Sequence, residues 1–136
     1  MYKRQAEDPA LIAAFEQHFE ETQGQLERID QVVEAGNFKL KRIKCAAMEG
    51  LVEEAKEIID EIPKGPVRDV ALVGAAQRVE HYEIAGYGTL VALAKTLGHD
   101  VAASTLHATL EEEKATDIKL TELAKTTINR KALLVK

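Results

Sequence analysis

The chain of 136 residues is long enough to bury a core of its own, and residues 1–136 are expected to form a single domain. Its formal net charge of −5 disfavours a nucleic-acid partner, because phosphate contacts dominate that kind of affinity. No apolar run approaches the roughly 20 residues of a membrane-spanning helix, so no membrane partner is expected. The single cysteine, Cys45, excludes an intramolecular disulfide framework and fits a reducing, cytoplasmic location.

Helix start and stop signals divide the chain into four predicted helices. Asp8-Pro9 predicts the first start, because Asp accepts free N–H groups and Pro suits the first helical position. Gly36-Asn37 predicts its end, and the segment from Pro63 to Pro66 ends the second helix. Asp100 is expected to cap the fourth helix. The predicted ranges are about 8–34, 41–61, 67–97 and 100–130.

The fold class follows from the length of these helices and the shortness of their connections. Helices of roughly 26 to 31 residues are long for a globular protein, and short loops make sequential neighbours antiparallel. The sequence therefore predicts an all-α, up-down helical bundle. Cys45, near the start of the second helix, is interpreted as a small core residue.

Carboxylates occupy the apolar stripe of the third predicted helix. With about 100° of rotation per residue, an apolar set lies within roughly 40° of Glu83 and places that residue near the middle of the stripe. Glu80, one turn earlier, falls at the edge of the stripe. The apolar set consists of Leu72, Ala76, Val79, Leu90 and Ala94.

The fourth predicted helix shows the same anomaly. Leu106 and Leu120 lie within roughly 20° of Glu113, and Asp117 lies within roughly 60° of it. Two acids thus share a core-facing stripe, and we expect Glu113 to be buried and to face Glu83 across the two helices.

Four facing carboxylates need a compensating charge, because a buried ionised carboxylate is costly unless it is paired or binds a metal. Acid pairs at i, i+3 or i+4 on facing helices are typical of di-iron and di-manganese carboxylate bundles. The alternative is that these acids lie at a wet end of the bundle or pair with Lys or Arg.

The first predicted helix adds a weaker set at helical spacing: His18, Glu21, Thr22 and Gln25. Glu21 lies at the flank of the apolar face and Thr22 within it. His18 is either a metal ligand or an imidazole at the edge of the core.

Five segments, in order and spacing, resemble the YciF-type ferritin-like family of bacterial stress-associated proteins. The resemblance covers nearly the whole chain from about Asp8. The segments are His18–Thr22 (HFEET), Gln25–Val33, Lys44–Ala55, Val79–Leu90 and Leu110–Asp117.

This resemblance implies a rubrerythrin-like antiparallel bundle with a short crossover helix, a homodimer and a bound pair of divalent metals, with iron or manganese expected. It also implies that Gln25 and His81 support the site from outside the ligand group. The ligands that it implies are Glu21, Glu80, Glu83, Glu113 and Asp117.

Family members have a further helix before the one that contains the HFEET motif, and only Met1–Glu7 precede that helix here. The chain is therefore expected to lack the first bundle helix and one acidic ligand. We expect an uncovered apolar strip near Phe15, Phe19 and Leu26, and self-association in solution.

Two functions remain open from the sequence. The first is a dimetal carboxylate protein of the oxidoreductase kind, acting on peroxide or handling iron in a bacterial stress response. The second is a non-catalytic helical module for dimerisation or interaction, in which the acids bind a structural ion or none.

Overall fold

The computed structural model describes residues 4–135, which form helices and connecting loops without a strand. This confirms the predicted all-α bundle. The 16-residue α2 is the short helix between longer ones. The four main helices are α1 (Pro9–Gly36), α2 (Ala46–Glu61), α3 (Pro66–Thr96) and α4 (Asp100–Leu123).

Both ends of α1 confirm the predicted signals. The Asp8 carboxylate accepts hydrogen bonds from the backbone N–H groups of Ala10 and Leu11, and Pro9 occupies the first helical position. Asn37, with a φ of 50°, adopts the left-handed conformation that ends the helix.

The start of α2 differs from the prediction, because the helix begins at Ala46 and not near Lys41. Lys41, Arg42 and Lys44 lie in the preceding loop, and their positive charges would be unfavourable in the first turn of a helix, where the dipole is positive. The interpretation of Cys45 as a core residue was wrong, because its side chain is exposed. The helix packs against α3, and its Ala55 is fully buried.

The fourth helix, α4, begins with Asp100 as its first residue, so Asp100 does not cap it. A π-helical turn, Ala124–Ile128, follows Leu123, and α5 (Asn129–Leu133) continues from it. Hydrophobic spacing predicts a continuous helix here and does not reveal the π turn. Ile128 at its end is buried in the same cluster as Leu120.

The packing order sets the position of the interior carboxylates. α4 packs against both α1 and α3, and α2 packs against α3. One apolar cluster includes Leu11, Leu72 and Leu120, and a second contains Val91 and Leu106. Along each long helix, the polar segment lies between the residues of these two clusters.

The predicted apolar strip on α1 is confirmed in part. Phe19 and Leu26 are 58% and 61% exposed, whereas Phe15 is buried in the core at 8%. Among residues 4–135, no helix has both the length and the apolar character needed to cross a bilayer.

Candidate metal centre

Four side chains from three helices meet between the two apolar clusters. Glu80 and Glu83 come from α3, Glu113 from α4 and His18 from α1. Each offers one ligand atom, and all four atoms lie within 4.8 Å of one another. Because Glu80 and Glu83 are three residues apart, both point from one face of α3 toward its neighbours.

The imidazole of His18 is held on both of its nitrogens. Nε2 lies 3.2 Å from Oε1 of Glu80, and Nδ1 lies 3.4 Å from the hydroxyl of Thr116. Nδ1 also lies 4.0 Å from Oε2 of Glu21. The ring is therefore oriented toward the carboxylates from its position on α1.

Burial and mutual repulsion favour protonation of the acids on α3. Burial, followed by the hydrogen bond with Glu113, raises the pKa of Glu80 from the ordinary 4.5 to about 10. Burial also raises the pKa of Glu83 to about 7, with the Glu113 carboxylate adding to the effect. The neighbouring Tyr87 phenol has a raised pKa because it is partly buried, and the charges of Glu83 and Glu113 contribute further.

Two buried oxygens at this site lack a donor when the acids are ionised. They are Oε2 of Glu80 and Oε2 of Glu113, which have no hydrogen-bond partner within residues 4–135. Two ionised carboxylates cannot donate to each other, so either a proton or a cation must compensate these oxygens. The available ligand atoms, one imidazole nitrogen and several carboxylate oxygens, suit a divalent transition metal.

The structure brings together three of the five predicted ligands: Glu80, Glu83 and Glu113. Glu113 is fully buried, as predicted, whereas Glu83 is half-buried. Glu80 was predicted at the edge of the stripe, but it is 2% exposed. Buried residues flank both Glu80 and Glu83 on α3, so the buried face is centred between these two acids.

Glu21 and Asp117 lie outside the four-residue group. Glu21 is 26% exposed and accepts a hydrogen bond from Gln17. Asp117 is 20% exposed, accepts a hydrogen bond from Gln77, and lies 3.2 Å from Nε2 of the exposed His81. Their roles as ligands stay predictions.

The sequence named His18 as one of two alternatives, and the structure places it in the ligand group. The available signal was its helical spacing to Glu21, Thr22 and Gln25. The resemblance implies that Gln25 supports the site from outside the ligand group. In the structure its amide donates a hydrogen bond to the Glu113 carboxylate.

The chain is similar to known proteins over nearly its full length. Residues 1–133 match the family model described as a domain of unknown function, DUF892. Protein YciF of Escherichia coli strain K12 is 61% identical over 130 residues, which cover 95% of this chain and 78% of that protein.

Solved structures agree with this similarity. The crystal structure of the E. coli stress protein YciF matches with a TM-score of 0.90 and 60% identity, covering 95% of this chain and 82% of that one. YcfI from Rhodopseudomonas palustris matches with a TM-score of 0.84 and 46% identity, covering 88% and 76%. The chain therefore belongs to the DUF892 family of YciF-like proteins.

Proposed function

We propose that this chain is a ferritin-like carboxylate protein that binds a pair of divalent iron or manganese ions in the bacterial cytoplasm. The first ion is held by His18, Glu80, Glu83 and Glu113. The observation that carries the proposal is the pair of buried carboxylate oxygens, on Glu80 and Glu113, that have no donor within residues 4–135. The free thiol of Cys45 fits a reducing compartment.

Charge balance supports a second ion at the same site. Three ionised glutamates exceed the charge of a single divalent cation, and two-metal sites place their ions about 3.5–4 Å apart. Glu21 contacts His18, and the Asp117 charge acts on Glu80. These two acids are the further ligands that we propose for the second ion.

The proposed activity is the handling of peroxide or iron under stress. When bound, iron or manganese supplies one-electron redox chemistry toward peroxide or oxygen. The chain itself orients the imidazole of His18 through Thr116 and shields the carboxylates of Glu80 and Glu113 from water. A stress-related role is supported by the description of the similar E. coli protein as a stress protein.

Metal analysis with a matched pair of variants tests the proposal. The unmodified chain should bind two Mn²⁺ or Fe²⁺ ions, and Glu113→Gln should lose them. Glu111→Gln is the control, because Glu111 lies on the same helix with its side chain exposed. The metal-loaded chain should consume peroxide faster than Glu113→Gln. A purified chain that binds no metal would overturn the proposal.

The alternative, a helical dimerisation module without catalysis, is favoured by a separate observation. Phe19 and Leu26 are exposed on α1 and lie seven residues apart, which places them on one face of the helix. We propose a homodimer that covers this face. The two functions are distinguished by metal content, since a module of this kind would persist as a dimer without metal.

A further inference from the structure

A buried amide connects the ligand Glu113 to a second carboxylate outside the ligand group. Gln25 is 2% exposed, and its Nε2 donates to Oε1 of Glu113 and, at 3.2 Å, to Oε2 of Glu112. An amide nitrogen has two hydrogens, so both donors of Gln25 are used. Because both partners are acceptors, the nitrogen rather than the oxygen of the amide must face them.

The second carboxylate is itself fixed by an arginine. The two terminal nitrogens of Arg28 each donate to one oxygen of Glu112 at 2.6 Å, in the bidentate geometry that holds a carboxylate most rigidly. Arg28 also donates to the hydroxyl of Thr109 at 3.2 Å. The hydrogen bond from Arg28 keeps the pKa of Glu112 below its ordinary value, so Glu112 remains an acceptor for Gln25.

Because of these contacts, the two carboxylate oxygens of Glu113 have different surroundings. Oε1 accepts the hydrogen bond from Gln25, whereas Oε2 is buried without a donor within residues 4–135. Glu113 therefore has one oxygen free for a cation. If the amide were removed, both oxygens would be free and the carboxylate could bind a cation through both.

We propose that Gln25, held by the Arg28–Glu112 ion pair, is a positioning residue that makes Glu113 a one-oxygen ligand and so favours transition metals over Ca²⁺. The inference rests on the proposed function and adds the metal selectivity of the same site. Calcium takes six to eight oxygen ligands and commonly uses carboxylates through both oxygens. With Glu113 limited to one oxygen, the group offers fewer oxygens to calcium, whereas its imidazole nitrogen and carboxylate oxygens suit Mn²⁺, Fe²⁺ or Co²⁺.

The test compares Gln25→Met, which removes both donors at similar volume, with Arg28→Lys, which keeps the charge but loses the bidentate contact. Gln23→Met is the matched control, because Gln23 lies on the same helix and is exposed. Affinities for Mn²⁺ and Ca²⁺ are measured by calorimetry. The visible absorption of bound Co²⁺ reports coordination number, since four- and five-coordinate Co²⁺ absorbs more strongly than six-coordinate Co²⁺.

We expect Gln25→Met to weaken Mn²⁺ binding by about 10- to 100-fold, the effect typical of a lost supporting group, without a parallel loss for Ca²⁺. Its Co²⁺ absorption should weaken as well. Arg28→Lys should show the same changes to a smaller degree, and it is the fallback if Gln25→Met does not fold.

The outcomes separate this inference from the proposed function. If the unmodified chain binds metal but the ratio of Mn²⁺ to Ca²⁺ affinity and the Co²⁺ spectrum are unchanged in both variants, the selectivity role of Gln25 is wrong and the metal site stands. If the unmodified chain binds no metal, both are overturned. Equal changes in Gln23→Met and Gln25→Met would also overturn the inference.

Discussion

The Nε2 atom of His18 lies 3.2 Å from Oε1 of Glu80, and this contact joins α1 to α3 inside the bundle. Glu80 is almost fully buried, whereas the His18 side chain is 22% exposed. Because Nδ1 of the same ring lies beside the hydroxyl of Thr116 on α4, the imidazole touches side chains from both other long helices. His18 is therefore the side chain through which α1 reaches the carboxylates of α3.

Replacing His18 with Ala should weaken Mn²⁺ binding by more than the 10- to 100-fold typical of a lost supporting group, because a direct ligand would be removed. Calorimetric titration measures the change. His107→Ala provides the control, since His107 is 53% exposed and lies near Glu111 on the surface. An affinity in His18→Ala equal to that of the control would show that His18 neither binds the metal nor supports the site.

The raised pKa of Glu83 predicts how the stability of the metal-free chain depends on pH. Its pKa is about 7 in the folded chain against an ordinary 4.5, mainly because of burial. Between these values the folded state binds more protons than the unfolded state, so the free energy of unfolding falls as pH rises. In chelator, we expect the melting temperature to fall from pH 5 to pH 8.

Glu83→Gln isolates this contribution, because the neutral amide does not titrate. In chelator at pH 8 the variant should melt higher than the unmodified chain, and near pH 4.5 the two should agree. With Mn²⁺ present the order at pH 8 should reverse, because metal needs the deprotonated ligand. The same difference with metal and with chelator would indicate that Glu83 acts through packing alone.

The acids at the centre of the site were predictable, whereas their exact burial was not. Glu83 and Glu113 interrupt apolar stripes, and that interruption is visible in the sequence. Which of Glu80 and Glu83 is more buried depends on how α3 is rotated against α4 and α2, and a stripe fixes that rotation only to within about one residue. The role of His18 depends on the packing of α1 against α4, which helical spacing does not determine.

The local sequence signals also differed in how well they predicted the structure. Asp8-Pro9 defines a helix start by its own hydrogen bonds, and the structure confirms it. The α2 start was predicted too early, because Lys41 and Arg42 fit a helical pattern but oppose the dipole at a helix N-terminus. Asp117 follows Glu113 at helical spacing, and in the structure it contacts Gln77 and His81 and lies outside the group of four side chains.

Outside the candidate metal centre, the buried carboxylate of Asp69 holds the segment before α1 against the start of α3. Its two oxygens accept hydrogen bonds from the backbone N–H groups of Glu7, at 2.9 Å, and Asp8, at 2.8 Å. Lys131 also contacts the Asp8 carboxylate at 2.5 Å, so the end of the helical chain joins the same network.

Asp69→Asn should lower the free energy of unfolding by about 1–3 kcal/mol, because the amide turns one acceptor oxygen into a donor that faces another donor. Urea unfolding of the metal-free chain measures this loss. Asp60→Asn is the matched control, because Asp60 is exposed on α2. Equal midpoints for the two variants would contradict a structural role for Asp69.

The exposed face of α1 predicts self-association. Phe19 and Leu26 are each more than half exposed, and replacing both with Ser removes most of the apolar surface they present to solvent. We expect the unmodified chain to sediment as a dimer and the double variant as a monomer at the same concentration.

Leu133→Ser with Leu134→Ser is the control, because these residues are 85% and 81% exposed but lie on α5 and just after it. The double variant should keep its Mn²⁺ content, since neither residue belongs to the ligand group. An unmodified chain that sediments as a monomer, or a double variant that stays dimeric, would show that this face of α1 is not the contact.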